Sequence, residues 1–122
     1  GKIVFNQPAG HLEPGETLIQ AVKRETREET AWSFTPESLT GIYQWKNPES
    51  DTSFLRFSFS GLCSEHDPEQ ALDEGIIRAV WMHPDELIEH SSKLRSPMVL
   101  QCINDYLENK RYPLSILYDL NL

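Results

Sequence analysis

The most constraining stretch of this 122-residue sequence runs from Gly10 to Trp32, GHLEPGETLIQAVKRETREETAW. Its first part, with Gly10, Pro14 and Gly15, is too rich in glycine and proline for regular structure. From Leu18 to about Thr30 neither residue occurs, and Leu18, Ala21, Val22 and Thr26 recur at helical spacing. An amphipathic helix is therefore expected, with Thr17 able to cap it and Glu16 near its positive end. Glu25, Glu28 and Glu29 stand three and four residues apart, which crowds three carboxylates onto one helical surface. Such crowding is destabilising unless a cation sits among the oxygens, and carboxylate oxygens are the donors that magnesium prefers. Arg24 can hold a carboxylate through its planar fork, and Glu16, about two turns earlier, is the expected partner that ties loop to helix.

A run of Glu, Lys and Arg on a helix is by itself usually a solvated surface. Here the pattern is longer. The Nudix box reads Gly, five residues, Glu, seven residues, Arg-Glu, two residues, Glu-Glu, one residue, then Gly and an apolar residue. Gly10, Glu16, Arg24, Glu25, Glu28 and Glu29 match at those spacings. Chance supplies six such matches on the order of once in ten thousand chains of this kind. The sequence thus resembles the Nudix hydrolase family. It departs from the pattern at Ala31, where the box has Gly, at Thr26, where it is usually aliphatic, and at Pro8-Ala9-Gly10, where Pro-Gly-Gly is frequent. Four further segments, Asn6 to Glu13, Phe54 to Phe57, Leu94 to Pro97 and Arg111 to Leu114, look like the bacterial NudJ-type phosphatases within that family.

The resemblance implies a Nudix fold: α+β, a mixed β-sheet sandwiched between helices, in one domain over residues 1–122. Family members carry roughly thirty further residues before the position of Gly1, so the first sheet strands are expected to be missing from this sequence. The sequence pattern gives strands at Ile3 to Phe5, Ser38 to Trp45, Ser53 to Cys63 and Ile76 to Met82, the middle two forming a hairpin. Leu55, Phe57 and Phe59 alternate with polar residues in the second strand of that hairpin. A short helix opens at Pro84. A second principal helix follows the Ser96-Pro97 cap, with Met98, Val99, Cys102, Ile103, Tyr106 and Leu107 on its apolar face, and the tail from Arg111 is expected to pack on the body.

The implied activity is that of a magnesium-dependent hydrolase, manganese being the alternative ion. It would cleave phosphoanhydride bonds of nucleoside di- or triphosphates, or of related small diphosphates such as hydroxymethylpyrimidine diphosphate, by water attack on phosphorus. In this reading Glu25, Glu28 and Glu29 hold one to three metal ions, with the Gly10 carbonyl as a further ligand by resemblance. Glu25 or Glu28 accepts the proton of the attacking water, Arg24 supports them, and Glu74, in the loop before a strand, is the candidate base from outside the box. Tyr43 and Trp45 fall on one face of a strand and could stack on a base, although core packing accounts for them equally well. His11, Arg56 and Arg95 are weaker phosphate contacts, since exposure or salt bridging explains each.

Two other classes compete. A non-catalytic Nudix-fold nucleotide sensor would ordinarily lack one of the box carboxylates, all of which are present. An RNA 5′-end pyrophosphohydrolase would call for a basic groove, whereas the net charge here is -8. That charge disfavours nucleic-acid partners and anionic membranes, and no apolar run is long enough for a membrane span. There is no GxxxxGK[ST] phosphate loop. Cys63 and Cys102 have no nearby cysteine partner, and no secretory signal is seen, so a cytoplasmic monomer or homodimer with two reduced thiols is expected.

Overall fold

The computed structural model describes residues 12–120. Gly10, His11 and the Ile3 to Phe5 strand expectation lie outside the described residues. The first helix, α1, spans Leu18–Thr30. Gly15, at φ +78°, turns the chain into it. Thr17 caps it: its hydroxyl accepts from the Gln20 N–H at 3.0 Å, and the Gln20 side chain accepts from the Thr17 N–H at 2.9 Å. The buried stripe is Ala21, Val22, Glu25 and Thr26, so a glutamate joins the expected apolar positions while Leu18 is only half-buried.

Helix α1 stops at Ala31, which is buried and takes a left-handed conformation at φ 62° and ψ 15°. Glycine enters this region freely, whereas an L-residue with a Cβ is disfavoured there by about 1–2 kcal/mol. The methyl group is well packed, and a buried carbon of that size contributes about 0.8 kcal/mol. The alanine also leaves the unfolded chain less conformational freedom than glycine would, by about 0.4–1 kcal/mol. These terms nearly cancel, which explains how the helix keeps its stop without the glycine of the box.

Strands β1 (Ser33–Lys46) and β2 (Ser53–Ser64) form an antiparallel hairpin, as expected, with β1 starting earlier than its sequence pattern indicated. β1 has 14 residues and β2 has 12. The difference lies in two bulges, where Glu37 and Thr40 have no partner in the register. Gly61 faces Pro36 at the first of them. A Cβ on Gly61 would run into the Thr35 carbonyl oxygen and stand 2.9 Å from Pro36 Cα, so this close approach demands glycine. Leu55, near the hairpin tip, is exposed, while Phe57 and Phe59 are half-buried.

At the second bulge Leu39 exchanges two backbone hydrogen bonds, both 2.8 Å, with Tyr112 from the C-terminal tail. The start of the tail thus packs on β1, which lies between β2 and this bridge, whereas Tyr118 and Leu120 further along are exposed, so the expected packing holds only for the first part of the tail. Consecutive residues Leu39 and Thr40 are both buried, so both sides of the strand are covered there. The two long helices, α1 and α3 (Pro97–Leu107), each contact β1. Between the hairpin and α3 lies the short helix α2 (Pro84–Glu89), opened by Pro84 and capped by His83.

Two expectations change in detail. Ile76 to Met82 has no strand ladder among the described residues, whose sheet is the two-stranded antiparallel hairpin. Apolar pattern marks a segment fit for a sheet; a ladder also needs a partner edge. In α3 the buried face is Met98, Val99, Cys102 and Asp105, whereas Tyr106 and Leu107 are about half exposed. Asp105 can be buried because it is fully engaged. It accepts from the Tyr43 hydroxyl at 2.7 Å, from Lys110 Nζ at 3.0 Å and from Gln101 Nε2 at 3.1 Å. Gly41 leaves the room that the Tyr43 ring occupies, since a Cβ there would meet the Tyr43 hydroxyl at 2.6 Å. Ser96 holds the N-cap position of α3, but its buried hydroxyl makes no cap bond.

Ala31→Gly is expected to change the free energy of unfolding by less than about 1 kcal/mol, and Gly61→Ala to lower it by about 3 kcal/mol, because backbone obstructs the added methyl. Urea unfolding of both variants checks this pair.

Candidate active site

The site is built on the loop that leads into α1 and on the flank of α1 that carries Arg24, Glu25 and Glu28. Arg24 is its hub. Its Nε and Nη2 donate to the two oxygens of Glu16 at 2.8 and 3.0 Å, the bidentate tie of loop to helix anticipated from spacing. Its Nη1 donates to Glu25 Oε1 at 2.8 Å and to Glu28 Oε2 at 3.1 Å. Glu13 lies 3.7 Å away from the same nitrogen, and its own N–H donates to Glu16 at 3.1 Å. One guanidinium is thus shared by four carboxylates. Its hydrogen bonds with Glu16 and then Glu25 raise the Arg24 pKa further above its usual value. Reciprocally, the hydrogen bond from Arg24 holds the Glu16 carboxyl below the ordinary glutamate range.

Around this hub, ligand-capable oxygens of Glu25, Glu28 and Asp73 lie within 4.8 Å of one another. Glu25 is buried, Glu28 half-buried and Asp73 exposed. Asp73 reaches the helix from the loop after β2, and its N–H donates to the Glu28 carbonyl at 3.0 Å. It was not singled out from sequence; its exposed neighbour Glu74 was, and Glu74 is not in this group. Two adjacent acidic residues in one loop look alike in a sequence, and only the path of the backbone separates them. Glu29, half-buried on α1, also stands outside the group of three. Tyr43 is tied beneath α3 by Asp105, and Trp45 stacks on its cross-strand partner Phe54 at a centroid distance of 5.7 Å.

Chemically, three carboxylates at this separation form a hard oxygen-donor set of the kind that magnesium and manganese take. At 4.8 Å and an effective dielectric of about 20, each like-charged pair repels by roughly 3 kcal/mol, less where Asp73 meets water. Arg24 relieves part of that repulsion through one oxygen each of Glu25 and Glu28; each carboxylate has a second oxygen to offer a cation.

Comparison with known proteins identifies the family. The NUDIX domain family matches residues 3–101. Phosphatase NudJ from Escherichia coli (strain K12) is 41% identical over 121 residues, a match covering 99% of this chain and 78% of that protein. The Phosphatase NudJ of Shigella flexneri matches to the same extent. Among solved structures, a NUDIX hydrolase from Nitrosomonas europaea is 53% identical, with a TM-score of 0.95 over 98% of this chain and 80% of that one. The chain belongs to the Nudix family and is a Nudix hydrolase with the α+β fold of that family. Among the described residues no helix is long and apolar enough to cross a membrane.

The Arg24–Glu16 tie has a pH signature. Because the folded-state pKa of Glu16 is lowered from 4.5, its stabilising contribution is complete above about pH 4.5 and is lost as pH falls through the lower folded value. Unfolding midpoints measured from pH 3 to 6 are expected to fall less steeply on the acid side in Arg24→Met than in the parental chain.

Proposed function

We propose that this Nudix hydrolase is magnesium-dependent, with manganese able to replace magnesium. In this reading it cuts a phosphoanhydride bond in nucleoside di- or triphosphates, or in a related small diphosphate such as hydroxymethylpyrimidine diphosphate. The observation that carries the reading is the convergence of Glu25, Glu28 and Asp73 within 4.8 Å beside an arginine shared among carboxylates. The likeness to proteins named Phosphatase NudJ supports the phosphate-releasing character.

The donor set fits a hard divalent cation. Glu25, Glu28 and Asp73 would hold it, with Glu29 and the Gly10 carbonyl as the further ligands that the Nudix box implies. When bound, such a cation neutralises charge on the diphosphate and lowers the pKa of a coordinated water. The protein residues have separate tasks. Arg24 fixes the Glu25 and Glu28 side chains so that their geometry does not depend on substrate. Glu25 or Glu28 accepts the proton as water adds to phosphorus and the bridging oxygen leaves with the other phosphate. Glu74, the exposed chain neighbour of Asp73, is the candidate base from outside the helix.

The test is a panel of nucleoside and pyrimidine diphosphates assayed with and without magnesium, with orthophosphate and pyrophosphate measured separately. Glu28→Gln is expected to lower kcat by about a hundredfold or more, with the circular dichroism spectrum unchanged. Turnover that persists in Glu28→Gln and ignores divalent cations would refute the proposal, and nucleotide binding without any turnover would favour a sensor instead.

A further inference from the structure

We infer that Arg27 and Gln70, neither of them a fixed position of the Nudix box, form a positioning clasp that seats Asp73 beside Glu25 and Glu28. The inference rests on the metal-holding role proposed above and deepens it. Asp73 sits in a loop with no regular structure, running from Glu65 to Gly75, and is itself exposed. Side-chain packing therefore cannot place it, and the hydrogen bonds of the loop must.

Apart from turn bonds inside the loop, such as Gln70 N–H to the Asp67 carbonyl and Ile76 N–H to the Asp73 carbonyl, its bonds converge on the last turn of α1 and its stop at Ala31. The left-handed stop at Ala31 ends the helical ladder and leaves carbonyls at the helix end for other donors. The Glu28 carbonyl takes the Asp73 N–H at 3.0 Å, and the Ala31 carbonyl takes the Asp67 N–H at 3.0 Å. Between them, Gln70 Nε2 donates to the Arg27 carbonyl at 2.6 Å, while Arg27 Nε donates back to Gln70 Oε1 at 3.0 Å. Arg27 Nη1 reaches further, to Ser33 Oγ at 2.8 Å and the Glu65 carbonyl at 3.3 Å. The loop is thus pinned at its start, middle and end.

Gln70 makes the central pin with one primary amide that donates to and accepts from the same residue. Glutamate lacks the donor and leucine lacks both. Arg27 precedes Glu28 in the helix, so the residue that anchors the loop adjoins the residue that shares the cation with Asp73. Without the clasp, Asp73 keeps only its own N–H bond to the helix, and its carboxylate is free to swing away from the other two.

The experiment is calorimetric titration of manganese alone into the purified protein, without substrate. Gln70→Leu is expected to weaken manganese binding by about tenfold, the scale on which outer-shell partners act. Asp73→Asn should weaken it at least as much, and Gln70→Leu combined with Asp73→Asn should be no weaker than Asp73→Asn alone, because the clasp acts through Asp73. Arg27→Met supplies a sign test. Removing a positive charge near the acidic group would by charge alone tighten cation binding, whereas loss of the clasp weakens it. If Gln70→Leu does not fold, Gln70→Glu keeps the acceptor, loses the donor and adds a negative charge; weaker binding in that variant again supports the clasp against simple electrostatics.

Parental affinity in the Gln70 variant that folds, additive losses in the double variant, or an Asp73→Asn without effect would each overturn the clasp. Glu28→Gln, titrated in parallel, separates the two levels. If it weakens manganese binding while the Gln70 variant does not, the clasp fails and the metal site stands. If Glu28→Gln itself has no effect, the metal reading fails and takes the clasp with it.

Discussion

Sharing of the Arg24 guanidinium among Glu13, Glu16, Glu25 and Glu28 is the interaction on which the site depends. Without a cation in their midst, the carboxylates of α1 would repel one another and spread toward solvent, since a long glutamate side chain gains rotamer freedom by doing so. With it, they are held on one surface, and the entry loop is fastened to the second turn of the helix by the bidentate bond to Glu16. One positive charge against four negative ones organises the cluster without neutralising it, and that residual charge is what a divalent cation would relieve. The pairs around Arg24 are half-buried, so they are screened less than exposed surface ion pairs and keep more of their geometry.

The rest of the fold holds α1 against β1 and the loop after β2. Two bulges let a 14-residue strand pair with a 12-residue one and turn the Leu39 backbone outward to Tyr112. On α3 a buried aspartate is tolerated because three donors converge on it. The Tyr43 hydrogen bond, then those of Lys110 and Gln101, outweigh the effect of burial and hold the Asp105 carboxyl below its usual range. Burial, followed by that same hydrogen bond, pushes the Tyr43 hydroxyl up. This network ties the sheet to α3 and to Lys110 just beyond it. It also accounts for Tyr43, whose placement on a strand face left ring stacking and core packing equally open.

The boundaries of α1, its Thr17 cap, the Glu16–Arg24 tie and the hairpin were legible because each follows from local rules: propensity, capping chemistry, and side-chain period along a helix or strand. The helix stop was harder to read, since Ala31 lacks the glycine that announces a left-handed residue, and burial of its methyl compensates for the strain. Asp73, Gln70, Arg27 and Asp105 were not legible. Each acts through a partner distant in sequence, 43 residues in the case of Arg27 and Gln70, and no spacing rule links residues at that range. Ile76 to Met82 shows the converse: its apolar pattern reads as a strand, yet among the described residues it has no ladder.

By itself, then, the sequence determined the family, the helix α1 and two of the three converging carboxylates, because those are properties of a single helix whose geometry is set by a 3.6-residue turn. Only the tertiary structure decided that Asp73, not Glu74 or Glu29, completes the group within 4.8 Å. That choice belongs to a loop without a repeat, whose path is set by carbonyls at the end of α1 and by the donors that reach them.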